Sequence, residues 1–281
     1  MLGDVFGVQN VAETEDAYLH EINNGANFVV DHLEKRFWSF HTQDPMGLTG
    51  PLLKEKVENR RDLDWMWLPS RHLRSVWPDA HPKHLKSDFR GRRLLPQDEA
   101  VQDLEVQLTG SAADTILGLI ADQYSTAISF DRILFDLSDE DLGSVRELIT
   151  RQGRFVARGD SFEFHQHLVR SVINRYRRFV ELVESRAITW TELANGGVRL
   201  DGSPISVRFS RPIPDRDLFL SQLFSSREPF RLWGIPSDTG AFAEVEAVDL
   251  HVGQRLPIDI GSDWLRVYVL AGNCGNTVAR L

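Results

Sequence analysis

The sequence predicts a mixed fold, α+β or α/β, in three parts: an N-terminal helical and irregular segment, a central β-α-β-α-β-α layer, and a C-terminal β-rich, mostly antiparallel module. Three observations predict it. Apolar residues recur at spacings of three and four from Phe164 to Val183, the period of a helix with one buried face. Leu104, Val106 and Leu108 alternate with Asp103, Glu105 and Gln107, the period of a half-buried strand. Beyond residue 187 the turn signals Asn195-Gly196-Gly197 and Asp201-Gly202 separate short apolar runs, as hairpins require.

Size and composition bound the answer further. The chain has 281 residues, about twice a typical domain, so two modules are expected. The expected division is 1–186, with 1–101 as lead-in and 102–186 as core, followed by 187–281. A content of 42% hydrophobic and 26% charged residues excludes wholesale disorder. The net charge of −9 excludes a general polyanion binder. The single cysteine, Cys274, excludes a disulfide framework and a cysteine-based zinc site. No signal peptide and no apolar run of membrane-spanning length is present, so a cytoplasmic location is expected.

The elements follow in order. Over residues 14–36, Ala17, Tyr18, Ile22, Ala26, Val29, Val30 and Leu33 give a helical spacing, with Asn23-Asn24-Gly25 as its weak spot. Phe37–His41 and Leu63–Leu68 read as strands, with a charged helical turn between Lys54 and Asp62. After the 104–108 strand, Ser111 can cap a helix carrying Ile116, Ile120 and Tyr124 on one face. Ala127–Leu137 is a strand with a phase change near Asp131-Arg132. Ser138-Asp139-Glu140-Asp141 places acids on the first turn of a second helix. Arg154–Ala157 is a third strand. Gly159-Asp160, with Glu163 three residues on, caps a third helix bearing Phe164, Leu168, Val172, Tyr176, Val180 and Val183. Beyond it lie strands at 188–193, 198–200, 205–209, 242–252, 256–260 and 264–270, and one helix from Asp215 to Phe224. Residues 277–281 resemble a helix's first turn, so the chain is expected to belong beside something longer.

Four sets of residues could carry chemistry. Arg71, Arg74, Lys83, Lys86, Arg90, Arg92 and Arg93 stand against only Asp79 and Asp88 in one short window. With Trp77 to stack on a base, they could hold phosphate or nucleic acid, provided that they share one face. His81 and His84 in the same window are metal-ligand types, but Pro82 makes a helix across them unfavourable. Cys274 lies in a Gly-rich loop between a strand and a helix start; with His251 as base it could act as a hydrolase nucleophile. Asp136, Asp139, Glu140 and Asp141 cluster at a strand end, where acids also serve as ordinary caps. His165 and His167 sit about 200° apart on a helix and cannot share one metal, so one faces the core or a partner and the other is solvated.

No Gly-x-Gly-x-x-Gly, Walker loop, His-Glu-x-x-His or Gly-x-Ser-x-Gly is present. Aromatic residues on loops, among them Trp65, Trp67, Trp77 and Trp233, favour a non-enzymatic protein-interaction or scaffold module of a larger bacterial-type cytosolic assembly. Nucleic-acid binding through 71–93 is the alternative, and a Cys274 hydrolase the second. The partner expected is another protein chain or a further domain, with nucleic acid as the alternative and no membrane; no cofactor and no metal are expected.

Overall fold

The computed structural model describes residues 2–96, 98, 102–124 and 127–281, without the side chain of Tyr124. The chain divides into two compact units, Met1–Asp64 and Trp65–Leu281; residue 187 falls inside the second. The fold is α+β with a β-rich character, and all its sheets are antiparallel.

In the first unit, α1 (Leu2–Phe6) leads to a four-stranded sheet in sequential order: β1 (Val11–Glu13), β2 (Leu19–Asn23), β3 (Asn27–Asp31) and β4 (Ser39–His41). Then comes α2 (Met46–Glu58). The helix expected over 14–36 is therefore a hairpin. Ile22, Ala26 and Val30 satisfy a two-residue period as well as a helical one, and with Phe28 they fill the core beside Leu2, Val5 and Phe6. Asn23-Asn24-Gly25 is the turn: Gly25 has φ +75°, and the Asn24 N–H donates to the Ala26 carbonyl.

The second unit begins irregularly. Residues 63–68, expected as a strand, form none. After α3 (Ser70–Arg74) comes β5 (Pro82–Phe89), and then β6 (Leu104–Thr109), α4 (Ala113–Tyr124), β7 (Phe130–Asp139), β8 (Gly143–Thr150), β9 (Phe155–Gly159) and α5 (Phe162–Glu184). The sheet order is β6-β5-β7-β8-β9. The second helix expected after Ser138 is strand β8. Asp139 Oδ1 accepts the N–H groups of Asp141 and Leu142 and so closes a β7–β8 hairpin; the acids cap a turn rather than a helix. On α4 the inward residues are Ala113 and Leu117, and Ile116 is exposed. The Tyr124 side chain lies outside the described atoms.

Helix α5 lies against β8 and β9. All six residues of its expected stripe are buried. Its cap is Ser161, whose side chain accepts the Phe164 N–H, while Asp160 instead accepts the Ser144 N–H at 2.8 Å. That hydrogen bond holds the Asp160 carboxyl below its ordinary pKa.

The β-rich remainder comprises β10 (Thr189–Glu192), β11 (Val198–Asp201), β12 (Ile205–Arg208), α6 (Arg216–Leu223), β13 (Leu232–Trp233), β14 (Pro236–Asp238), β15 (Ala243–Asp249), β16 (Arg255–Ile260), β17 (Trp264–Val267) and α7 (Asn276–Ala279). Strands β12-β17-β16-β15-β13 form one sheet, with β14 also on β15, and its core joins Ile258, Ile260 and Val245 to Phe219 and Leu223 of α6. The last residues are tied to α5. The Tyr176 hydroxyl donates to Asn276 Oδ1 and accepts the Trp67 N–H; Asn276 Nδ2 donates to the Trp65 carbonyl; the Gly275 N–H donates to Glu184. A Cβ at Gly275 would stand 2.6 Å from the Val180 carbonyl oxygen, so glycine permits that approach. Among the described residues no helix is long and apolar enough to cross a membrane.

Candidate functional site

Among the described residues, the hairpin β10–β11 pairs only with itself. Leu193 and Gly197 close it through a 2.8 Å backbone bond, and Asn195 Oδ1 accepts the Gly197 N–H. Gly196, at φ +78°, takes the left-handed turn position. At its root Gly202 approaches the Ala187 carbonyl so closely that a Cβ would lie 2.2 Å from the oxygen, and the Ser203 N–H donates to Arg186. The blade is thus anchored at one end.

Its register decides the chemistry. Trp190 faces Leu200, and Glu192 faces Val198. Directly opposed residues of an antiparallel pair share a face, so Trp190, Leu200 and Val198 form one apolar strip with Glu192 beside the turn. Thr189, Thr191, Arg199 and Asp201 occupy the other face, where Arg199 and Asp201 form an ion pair of 2.9 Å. Trp190 is 65%, Leu200 71% and Val198 59% exposed. Elsewhere in the unit Trp233 and Ile235 are also exposed.

The other tryptophans near the basic window lie inward. Trp67 and Trp77 are buried. The Trp77 ring packs edge-on against Phe135, with Nε1 donating to Ser171, so it offers no face to a base. This corrects its assignment as a stacking residue. The seven bases do not share one element either. Arg71 and Arg74 are on α3, Lys83 and Lys86 on β5, Arg90 just after it, and Arg92 and Arg93 in a short 3-10 turn. Arg74 pairs with Asp114 at 2.6 Å, Lys86 with Glu105 at 3.0 Å, and Arg90 with both Asp88 and Glu105 at 2.5 Å. The bond from Lys86, and then that from Arg90, holds the Glu105 carboxyl below its ordinary range. Those charges are neutralised within the protein. The Arg92 N–H donates to Asp103, while Arg71, Lys83 and Arg93 are exposed.

His84 Nδ1 lies 2.9 Å from the Thr109 hydroxyl, and His81 precedes β5. Among the described residues no group of three or more His, Cys, Asp or Glu could hold a metal ion. Asp136 pairs with Arg146 at 2.8 Å.

The loop of Cys274 meets the turn that carries His251. The Cys274 N–H donates to Gln254 Oε1 at 2.9 Å, and Asn273 Nδ2 to the Arg255 carbonyl at 2.5 Å. Asp249 Oδ1 accepts the His251 N–H, and its other oxygen receives the fully buried Arg280 guanidinium. Arg231, at φ +52°, donates to His251 Nδ1 at 3.2 Å and pairs with Glu228. A guanidinium donating to Nδ1 occupies that lone pair, which leaves Nε2 as the ring's other nitrogen. The network joins a turn to the C-terminal segment.

A second ionisable pair was not legible from the sequence. Glu147 of β8 is wholly buried beneath α5, and its Oε2 accepts His165 Nδ1–H at 2.9 Å. Its other oxygen has no hydrogen-bond partner among the described residues. His165 faces inward and His167 outward, as their angular separation predicts. Glu147 gave no such signal, because in β8 it occupies an apolar position between Val145 and Ile149.

The MJECL33-like protein family profile matches residues 6–281, and the chain belongs to that family. It is similar to the protein MJECL33 of Methanocaldococcus jannaschii, with 24% identity over 94% of this chain and 74% of the relative. No solved structure matches the chain.

Proposed function

We propose that this MJECL33-like chain is a non-enzymatic protein-interaction module of a cytosolic assembly, and that it docks a second protein on the apolar face of the β10–β11 hairpin. The observation that carries this is the uncovered strip of Trp190, Leu200 and Val198 on a blade whose root is fixed. Burying such side chains stabilises by about 25 cal/mol per Å² of apolar surface, and large aromatic anchors dominate interface energetics. Exposed apolar clusters of this kind mark binding surfaces. The strip ends at Glu192, so the fitting partner presents an apolar ridge with a Lys or Arg at one end.

A photo-crosslinking amino acid placed at Trp190 in the native host tests this reading. A defined adduct with one protein is expected, absent when the probe replaces exposed Asp217 of α6. Equal labelling from both positions would sink the proposal. Mutating Glu192→Lys in the probe-bearing chain reduces the adduct if the charge match is right.

A further inference from the structure

Strand β2 of the first unit carries His20, and His32 follows β3 directly. Backbone pairing sets both: His20 is opposite Val30, and the His32 N–H donates to the Tyr18 carbonyl. The rings are half-buried, with His20 Nδ1 and His32 Nε2 3.0 Å apart. Their centroids are 4.7 Å apart, and their planes are inclined at 54°.

Two distances together constrain how the rings meet. A straight N–H···N bond of this length sets imidazole centres about 5.3 Å apart. Two imidazoles aimed at one ion about 2.05 Å from each nitrogen, with about 94° between them, give about 3.0 Å and about 4.7 Å. The observed pair matches the second set of distances. We propose that His20 Nδ1 and His32 Nε2 form a two-histidine site for a divalent transition metal of the nickel, copper and zinc group.

The bite near a right angle suits the tetragonal or octahedral sites of Ni²⁺ and Cu²⁺ better than a tetrahedral zinc site. Water fills the remaining positions. The proton that one facing nitrogen carries in the metal-free pair moves through solvent to the far nitrogen of its ring. Both imidazoles then stay neutral and present a lone pair to the ion. The bound metal staples the β2–β3 hairpin across its open end and stabilises the first unit by linkage.

The test uses the full-length chain without an affinity tag. Of its nine histidines, ring ¹⁵N resonances of His20 and His32 should broaden first when substoichiometric Ni²⁺ is added. Calorimetry should show saturable uptake of a single equivalent, weakened at least tenfold by His20→Ala and by His32→Ala but not by His84→Asn. Broadening that begins at other histidines, or uptake indifferent to both alanine variants, overturns the site and leaves an ordinary hydrogen-bonded pair. Should either variant unfold, the resonance experiment on the unaltered chain still decides.

Discussion

Strand β8 buries a carboxylate, and strand β10 exposes a tryptophan. In β8, Val145, Glu147 and Ile149 point the same way and all three are buried, with His165 of α5 meeting Glu147. In β10 and β11, Trp190, Leu200 and Val198 also share a face, yet among the described residues none covers it. Both segments alternate at the two-residue period of a strand. What differs is the layer above. Burial of Glu147 is tolerable because His165 on that layer meets it; exposure of Trp190 is tolerable only if something outside the chain meets it. The comparison teaches that alternation defines a face, and a cover decides whether it is core or interface.

The largest way to break the comparison is to remove the partner that makes the buried carboxylate acceptable. His165→Ala strands Glu147 beneath α5 and should cost about 3–5 kcal/mol. Denaturant unfolding measures this, and Glu147→Leu combined with His165→Leu should recover most of the loss. If the single change is neutral, the pair is not what holds that corner. A smaller effect is expected further along the same covered face. Tyr176→Phe removes the hydroxyl that joins Trp67 to Asn276 and should cost about 1–3 kcal/mol. Raised proteolysis of the 274–281 segment would accompany it.

A pH effect sharpens the covered side. His72 packs edge-on against Phe179, and burial, followed by the nearby Arg175 charge, lowers its pKa from the ordinary 6.5. A depressed pKa means that the unfolded chain binds the proton first. The stability that His72 contributes is therefore present above that ordinary value and lost as pH falls through the folded one. His72→Phe should flatten the thermal melting temperature between neutral and mildly acidic pH; an unchanged slope would remove the effect. The smallest shift belongs to the uncovered side. Trp190→Ser should alter unfolding by no more than about 0.5 kcal/mol, while a photo-crosslinking probe moved to Leu200 of the same strip no longer captures the partner in that variant. Marked destabilisation would show that Trp190 already serves a core.

Much of this was legible residue by residue. The α5 stripe could be read because eight buried positions repeat one signal over many turns. The β10–β11 turn was announced by Asn195-Gly196-Gly197, and α6 by Asp215, whose side chain accepts the Leu218 N–H. Where two periods fitted the same residues, the reading failed. Ile22, Ala26 and Val30 serve a helix or a hairpin equally, and Asp139 caps a turn as readily as a helix. The basic window failed for another reason: Asp114 of α4 and Glu105 of β6, which pair with Arg74, Lys86 and Arg90, lie outside the window, and sequence proximity does not show them.

By itself, then, the sequence determined the local elements with a single strong period, the turns with their own chemistry, and the absence of a known catalytic motif. Local propensity and spacing act within a few residues and need no knowledge of neighbours. Only the tertiary structure decided that Trp77 is core and Trp190 is surface, that Glu147 meets His165, and that His20 and His32 converge. Those outcomes depend on which segments lie side by side, and side-chain pairing across strands is fixed by register rather than by order in the chain.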